Sequence, residues 1–173
     1  MIRYRKLNEA IIPDDIVRFG DIVYAGYIWK IIDIKNNIAT LLLDEDICHM
    51  DFGMSRQRYP YIDSKVQKYL LNTLLPELEA NGAKPIPTLL YEEECYNKLY
   101  LLSYNEAQTV PKSIRKFSGD WWLRTVVDLA DDYDEYARTE PLIVSRNGDL
   151  DYPVRTKDHA VRPAMRVHIE DIK

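Results

Sequence analysis

An α+β fold, with few helices and several short, mostly antiparallel strands, follows from three features of the sequence. Two Asn-containing turns are flanked by apolar arms, one stretch repeats its leucines at helical spacing behind a serine, and the closing residues alternate in polarity.

The first hairpin has the arms Ile28-Trp29-Lys30-Ile31-Ile32-Asp33-Ile34 and Ile38-Ala39-Thr40-Leu41-Leu42-Leu43. Asn36-Asn37 is its turn, because Asn tolerates the positive φ of a tight loop. Both arms are apolar at nearly every residue, which predicts cover on both faces. The main helix begins at Ser64. Ser64-Lys65-Val66-Gln67 has the capping-box pattern, in which the hydroxyl accepts from the Gln67 amide and the Gln67 side chain reaches back. Val66, Leu70, Leu74 and Leu78 then recur at the helical period, with Tyr69 and Leu75 widening the stripe. Pro76 has no amide hydrogen, so a kink or restart is expected there, and Asn81-Gly82 is the stop. Lys84-Pro85-Ile86-Pro87 is then extended.

A second capping box, Ser103-Tyr104-Asn105-Glu106, follows the strand-like Leu99-Tyr100-Leu101-Leu102, so a strand should enter a short helical turn. Leu142-Ile143-Val144-Ser145 and Leu150-Asp151-Tyr152 flank Arg146-Asn147-Gly148-Asp149, and Asn-Gly between such arms signals a hairpin. The last strand, Ala164-Met165-Arg166-Val167-His168-Ile169, alternates and should keep one wet face.

The length of 173 residues suits a single domain over residues 1–173, large enough to bury a core of its own. The first fifteen residues are the least patterned; they read as an N-terminal extension ending in a turn at Pro13-Asp14-Asp15. No apolar run reaches the roughly 18 residues that span a bilayer, and the basic start lacks the apolar stretch of a secretory signal. Cys48 and Cys95 read as ordinary thiols of a cytoplasmic protein. A net charge of −5 argues against a protein that coats nucleic acid. Neither nucleic acid nor membrane is therefore expected as a partner.

The usual catalytic spacings are absent from the chain: no Gly-x-Ser-x-Gly, phosphate loop, Cys-x-x-Cys or His-Glu-x-x-His. His49, His159 and His168 lie far apart. Cys48 and His49 are neighbours, but adjacent strand residues point to opposite faces and do not converge on one atom. The densest polar stretch runs from Asp128 through Asp131, Asp132, Tyr133, Asp134, Glu135, Tyr136 and Arg138 to Glu140. It lacks the Gly and the terminal Glu of a calcium loop. It reads either as a solvated acidic loop or as a recognition loop, since Tyr and Arg among carboxylates are contact-forming residues. Trp121 and Trp122 should face opposite sides of a strand, one into the core and the other toward a second layer or a ligand. Arg162, fixed by Pro163 among apolar residues, should pair with a carboxylate and lock the fold.

Taken in order, these segments resemble a family of uncharacterised bacterial and phage domains. The likeness runs through Phe19-Gly20 and Trp29-Lys30-Ile31-Ile32-Asp33, Ala39–Leu43, Ser64–Asn72 with Leu74-Leu75, and Lys98–Ala107. It continues in Trp121-Trp122-Leu123-Arg124-Thr125, Val144–Leu150 and Ala160-Val161-Arg162-Pro163-Ala164-Met165, covering residues 19–168. The chain departs from the family at Thr125-Val126-Val127, which replace Ser-Pro-Gly, and at Ala160, which replaces Gly. The Trp-Trp-Leu-Arg and Val-Arg-Pro blocks in turn resemble the closing strands of C-type-lectin-like domains. That group includes the formylglycine-generating enzymes and the variable receptor-binding proteins of diversity-generating elements.

The resemblance implies a C-type-lectin-like scaffold with one main helix and long loops that carry specificity. The expected function is non-catalytic binding of a protein or glycan ligand in the cytoplasm, or in a host's cytoplasm for a phage-encoded chain. The expected ligand-binding residues are Trp122, Arg124, Asp128, Asp131, Asp132, Tyr133, Asp134, Tyr136 and Arg138. No metal, cofactor or catalytic residue is expected. Two alternatives stand beside it. One is a phage-type inhibitor that mimics nucleic acid toward a basic host defence protein. The other is a divergent enzyme of the formylglycine-generating class with His49, His159 or Cys95 in a cleft. The positions of the two cysteines, well upstream of the closing blocks, weigh against oxidase chemistry.

Overall fold

The computed structural model describes residues 20–53, 61–129, 138–151 and 158–172. The fold is α+β, and its strand pairings are antiparallel with one parallel exception. The N-terminal extension and its turn lie outside the described residues.

One sheet has four strands in the order β1-β2-β3-β11, formed by β1 (Asp21–Tyr24), β2 (Tyr27–Lys35), β3 (Ile38–Leu43) and β11 (Ala164–His168). The second has five, in the order β4-β10-β7-β8-β9: β4 (His49–Met50), β10 (His159–Ala160), β7 (Trp121–Leu129), β8 (Arg138–Val144) and β9 (Leu150–Asp151). A two-stranded ribbon, β5 (Thr88–Leu90) with β6 (Cys95–Asn97), stands apart from both.

The β2–β3 hairpin forms as expected. Asn36 and Asn37 take φ of 52° and 61°, which closes a two-residue turn in the right-handed twist of the strands. Its cover is uneven, contrary to the expectation of two buried faces. Trp29, Ile31, Leu41 and Leu43 are inside, whereas Ile28, Lys30 and Ile32 are half-buried and Asp33 is exposed. Lys30 lies on the less covered face, where its ammonium pairs with Asp21 at 2.6 Å and Asp44 at 3.1 Å.

The main helix runs as α1 (Lys65–Tyr69), a π-helical stretch at Leu70–Leu74, and α2 (Leu75–Ala80). Pro76 lies in the first turn of α2, so the missing amide falls where the hydrogen-bond ladder has already been reset by the wider turn. Val66, Leu70, Leu74 and Leu78 are all buried, which fulfils the stripe. Asn81 caps the helix and Gly82 follows at φ 91°. The Ser64 hydroxyl accepts from the Gln67 amide at 3.0 Å, but the other half of the box is missing. Gln67 is only 1% exposed, and neither of its side-chain atoms Nε2 and Oε1 has a hydrogen-bond partner. Burial has turned the side chain inward, away from the cap.

The second box is complete. Ser103 caps α3 (Tyr104–Thr109), its hydroxyl accepting from the Glu106 amide while Glu106 accepts from the Ser103 amide at 2.8 Å. The short α4 (Lys112–Arg115) follows. At the other Asn-Gly turn, Gly148 has φ 86°, and a Cβ there would sit 2.5 Å from the Lys112 carbonyl. Glycine therefore serves both the turn and the close approach of α4.

The two sheets are joined by residues 160–164. Ala160 pairs with Trp121 in one sheet, and Ala164 pairs with Leu42 in the other. Arg162 sits between them with no exposure at all. Its Nε donates to the Leu43 carbonyl at 2.6 Å, one terminal nitrogen to Ile114 at 2.9 Å, and the other to Asp44 at 2.8 Å. The guanidinium lies 4.6 Å from the Phe117 ring centre and 5.2 Å from that of Trp121. This is the predicted fold-locking pair. Burial pushes its pKa down to about 10, which still leaves it charged near neutrality.

Two substitutions test this packing. Arg162→Lys cannot satisfy two carbonyls and a carboxylate from a planar fork, and should lower the unfolding free energy by about 3 kcal/mol. A loss below about 1 kcal/mol in urea titration would contradict the locking role. Gln67→Leu removes two unpartnered polar atoms and should raise stability by about 1 kcal/mol. A fall in the urea midpoint would show that the amide is satisfied in solution.

Candidate functional site

The middle of β7 departs from regular pairing. Trp122 pairs with Ile143 and Val126 with Pro141, so four steps along β7 match two along β8. Pro141 has no amide to donate, and it lies where the ladder resumes. Such irregularities re-aim side chains and are common beside binding sites.

Arg124 lies in this stretch and is 2% exposed. Its Nε donates to Glu93 at 3.0 Å, and one terminal nitrogen donates to the Leu101 carbonyl at 2.8 Å and to Glu106. The other bonds Glu106 at 3.1 Å and approaches Glu92 at 3.3 Å. One guanidinium thus ties together β7, the start of α3 and the turn of the β5–β6 ribbon. Burial alone would lower its pKa, but Glu106, Glu93 and Glu92 together outweigh it and raise the pKa. Burial instead pushes the Glu93 carboxyl above the ordinary glutamate range, with Arg124 opposing.

Two adjoining clefts open over β7. The first, about 400 Å³, is lined by Tyr61, Ile62, Glu92, Glu93, Arg124, Thr125 and Val126. The second, about 310 Å³, is bounded by Glu92, Tyr104, Asn105, Thr125, Val127, Leu142, Leu150 and Asp151. Glu92 and Thr125 line both; the first cleft, a groove with Ile62 and Val126 beside its carboxylates, lies on the Val126 side of β7, and the second lies on the Val127 side. The Thr125 hydroxyl accepts from the Tyr104 amide at 2.8 Å and fixes the start of α3 against the groove.

The expected binding residues separate on this map. Arg124 lines the groove, but its nitrogens are occupied by protein acceptors, so it positions carboxylates. Trp122 is 4% exposed, its ring stands 5.4 Å from Phe52 and 4.4 Å from His159, and its Nε1 donates to the Met50 carbonyl. The two tryptophans do face different neighbours, since Trp121 stacks under Arg162. Asp128 and Arg138 pair opposite Thr139 and Leu129 at the loop end of the β7–β8 hairpin. Asp131, Asp132, Tyr133, Asp134 and Tyr136 lie outside the described residues.

One feature escaped the sequence reading. The ribbon turn and the start of β6 carry Tyr91-Glu92-Glu93-Glu94-Cys95-Tyr96, with Tyr91 81% and Tyr96 69% exposed. Three consecutive glutamates between tyrosines are the sequence signal for it.

The groups named for the enzyme alternative do not form one cluster. His49 is exposed and bonds Asp46, which also accepts from Ser118 at 2.7 Å. Cys48 is half-buried and bonded to Tyr69, and burial pushes both its thiol and that of Cys95 up. Protonated thiols are poor nucleophiles. His159 is 3% exposed, with Nε2 unpartnered against the edge-on Trp122. No family model matches the chain, and neither do curated proteins or solved structures.

Burial lowers the His159 pKa, assisted by His49 and opposed by Asp120 and Asp158. The unfolded imidazole takes up its proton near pH 6.5, whereas the folded one waits until lower pH. Stability should therefore fall as pH drops from about 6.5 toward the folded pKa, with no such contribution above. His159→Phe keeps an aromatic ring against Trp122 and removes this titration. Urea midpoints should decline less between about pH 7 and about pH 5 in the variant. Equal declines would contradict the assignment.

Proposed function

We propose that the chain is a non-catalytic binding domain on a C-type-lectin-like scaffold, recognising a protein or glycan ligand through the face over β7. The groove between the acidic ribbon turn and α3 supports this reading most directly. It has the concavity, apolar lining and few convergent polar groups that ligand sites share. The acidic segment from Asp128 to Arg138 leaves β7 and returns through β8, so it extends from the same strand pair. Loops and turns on a rigid sheet are where binding residues concentrate. The adjoining Trp-Trp-Leu-Arg and Val-Arg-Pro segments supply the rigid part, since Trp121, Trp122, Arg124 and Arg162 are all buried.

The test compares three proteins against bacterial lysate and a glycan array: wild type, Val126→Lys, and Asp131→Asn/Asp132→Asn/Tyr133→Ala/Asp134→Asn. Val126 lines the groove and is half-buried, so a lysine there places a cation among the carboxylates. A ligand retained by wild type and lost at least about tenfold by either folded variant is expected, the effect of about 1.4 kcal/mol. Equal retention by all three contradicts the proposal.

A further inference from the structure

We infer that the groove receives an extended basic segment of a partner protein, in which lysine or arginine alternates with apolar side chains and Glu92 accepts the cation. This rests on the binding reading above and names its ligand chemistry.

Charge decides against the alternatives. Glu92 and Glu93 line the groove, and Arg124 is the one cationic side chain lining it among the described residues. All three of its nitrogens are already engaged by protein oxygens. The surplus is negative, which repels phosphate and sulfate polymers and attracts cations. The apolar lining adds a second requirement. Ile62 and Val126 line the groove beside these carboxylates. An extended chain points successive side chains to opposite sides, so one set can meet the apolar lining and the other can reach the carboxylates.

Glu92 is the carboxylate suited to the exchange. It is 41% exposed, and its 3.3 Å approach is the longest of the carboxylate contacts to Arg124. Turning toward a ligand leaves the guanidinium held by Glu93 and Glu106, so no buried charge loses its last partner. Tyr91, next in the chain and 81% exposed, offers a ring face to an incoming lysine or arginine.

The test selects a random peptide library, displayed on phage, against the immobilised chain. Counter-selection uses Val126→Lys. The expected winners alternate Lys or Arg with apolar residues. A synthetic consensus peptide should bind Glu92→Gln about fivefold more weakly, the effect of one partly exposed ion pair. It should also weaken as salt rises, and bind equally to Asp33→Asn, an exposed control on β2. Neutral or acidic winners, or equal affinity for Glu92→Gln, overturn the basic-segment inference and leave the binding reading standing. Failure to select any peptide over Val126→Lys overturns both.

Discussion

A buried guanidinium is expensive to desolvate, and the face over β7 depends on how one is satisfied. Arg124 holds carboxylates from two separate parts of the chain, 31 and 18 residues away, and a carbonyl at Leu101. Removing its partners would leave a charge inside the protein, so the ribbon turn and the start of α3 are bound to stay against β7. Glu106 serves twice, as cap of α3 and as partner of Arg124. The groove is what remains between these two clamped elements. Arg162 does the corresponding work between the sheets, taking carbonyls from β3 and α4 and the Asp44 carboxylate. Arginine suits both positions because a planar fork satisfies several acceptors at fixed angles, as a lysine cannot.

Arg124 also explains the charge of the face, because three glutamates surround this one arginine at the groove. The residues that lock the ribbon in place thus leave negative charge beside the groove. Glu93, deepest of the three, is held with its carboxyl pushed upward by burial, whereas Glu92 stands at the opening.

Local chemistry was legible in the sequence wherever a few neighbouring residues decide the outcome. Asn36-Asn37 and Asn147-Gly148 announced turns because their backbone preferences do not depend on the rest of the fold. Ser103 with Glu106 formed its box in full. The same spacing at Ser64 and Gln67 formed only half, because the core competed for the Gln67 side chain and won. Arg162 was readable from its apolar setting before a proline. Arg124 was not readable as an organiser, since nothing local connects it to Glu93 or Glu106. Strand alternation puts Trp122 toward a second layer or a ligand without choosing between them, and Phe52 and His159 pack on that side. The Tyr91–Tyr96 turn went unnoticed because a run of glutamates looks like any solvated surface until a buried arginine is found behind it.

The most direct measurement is an NMR titration of the 15N-labelled chain with a short peptide alternating lysine and leucine. Amide shifts should concentrate at Ile62, at Glu92 and Glu93 and at Thr125 and Val126, and should disappear in Val126→Lys. Shifts centred elsewhere, such as on β1, or persisting unchanged in Val126→Lys, would contradict a basic-segment groove over β7.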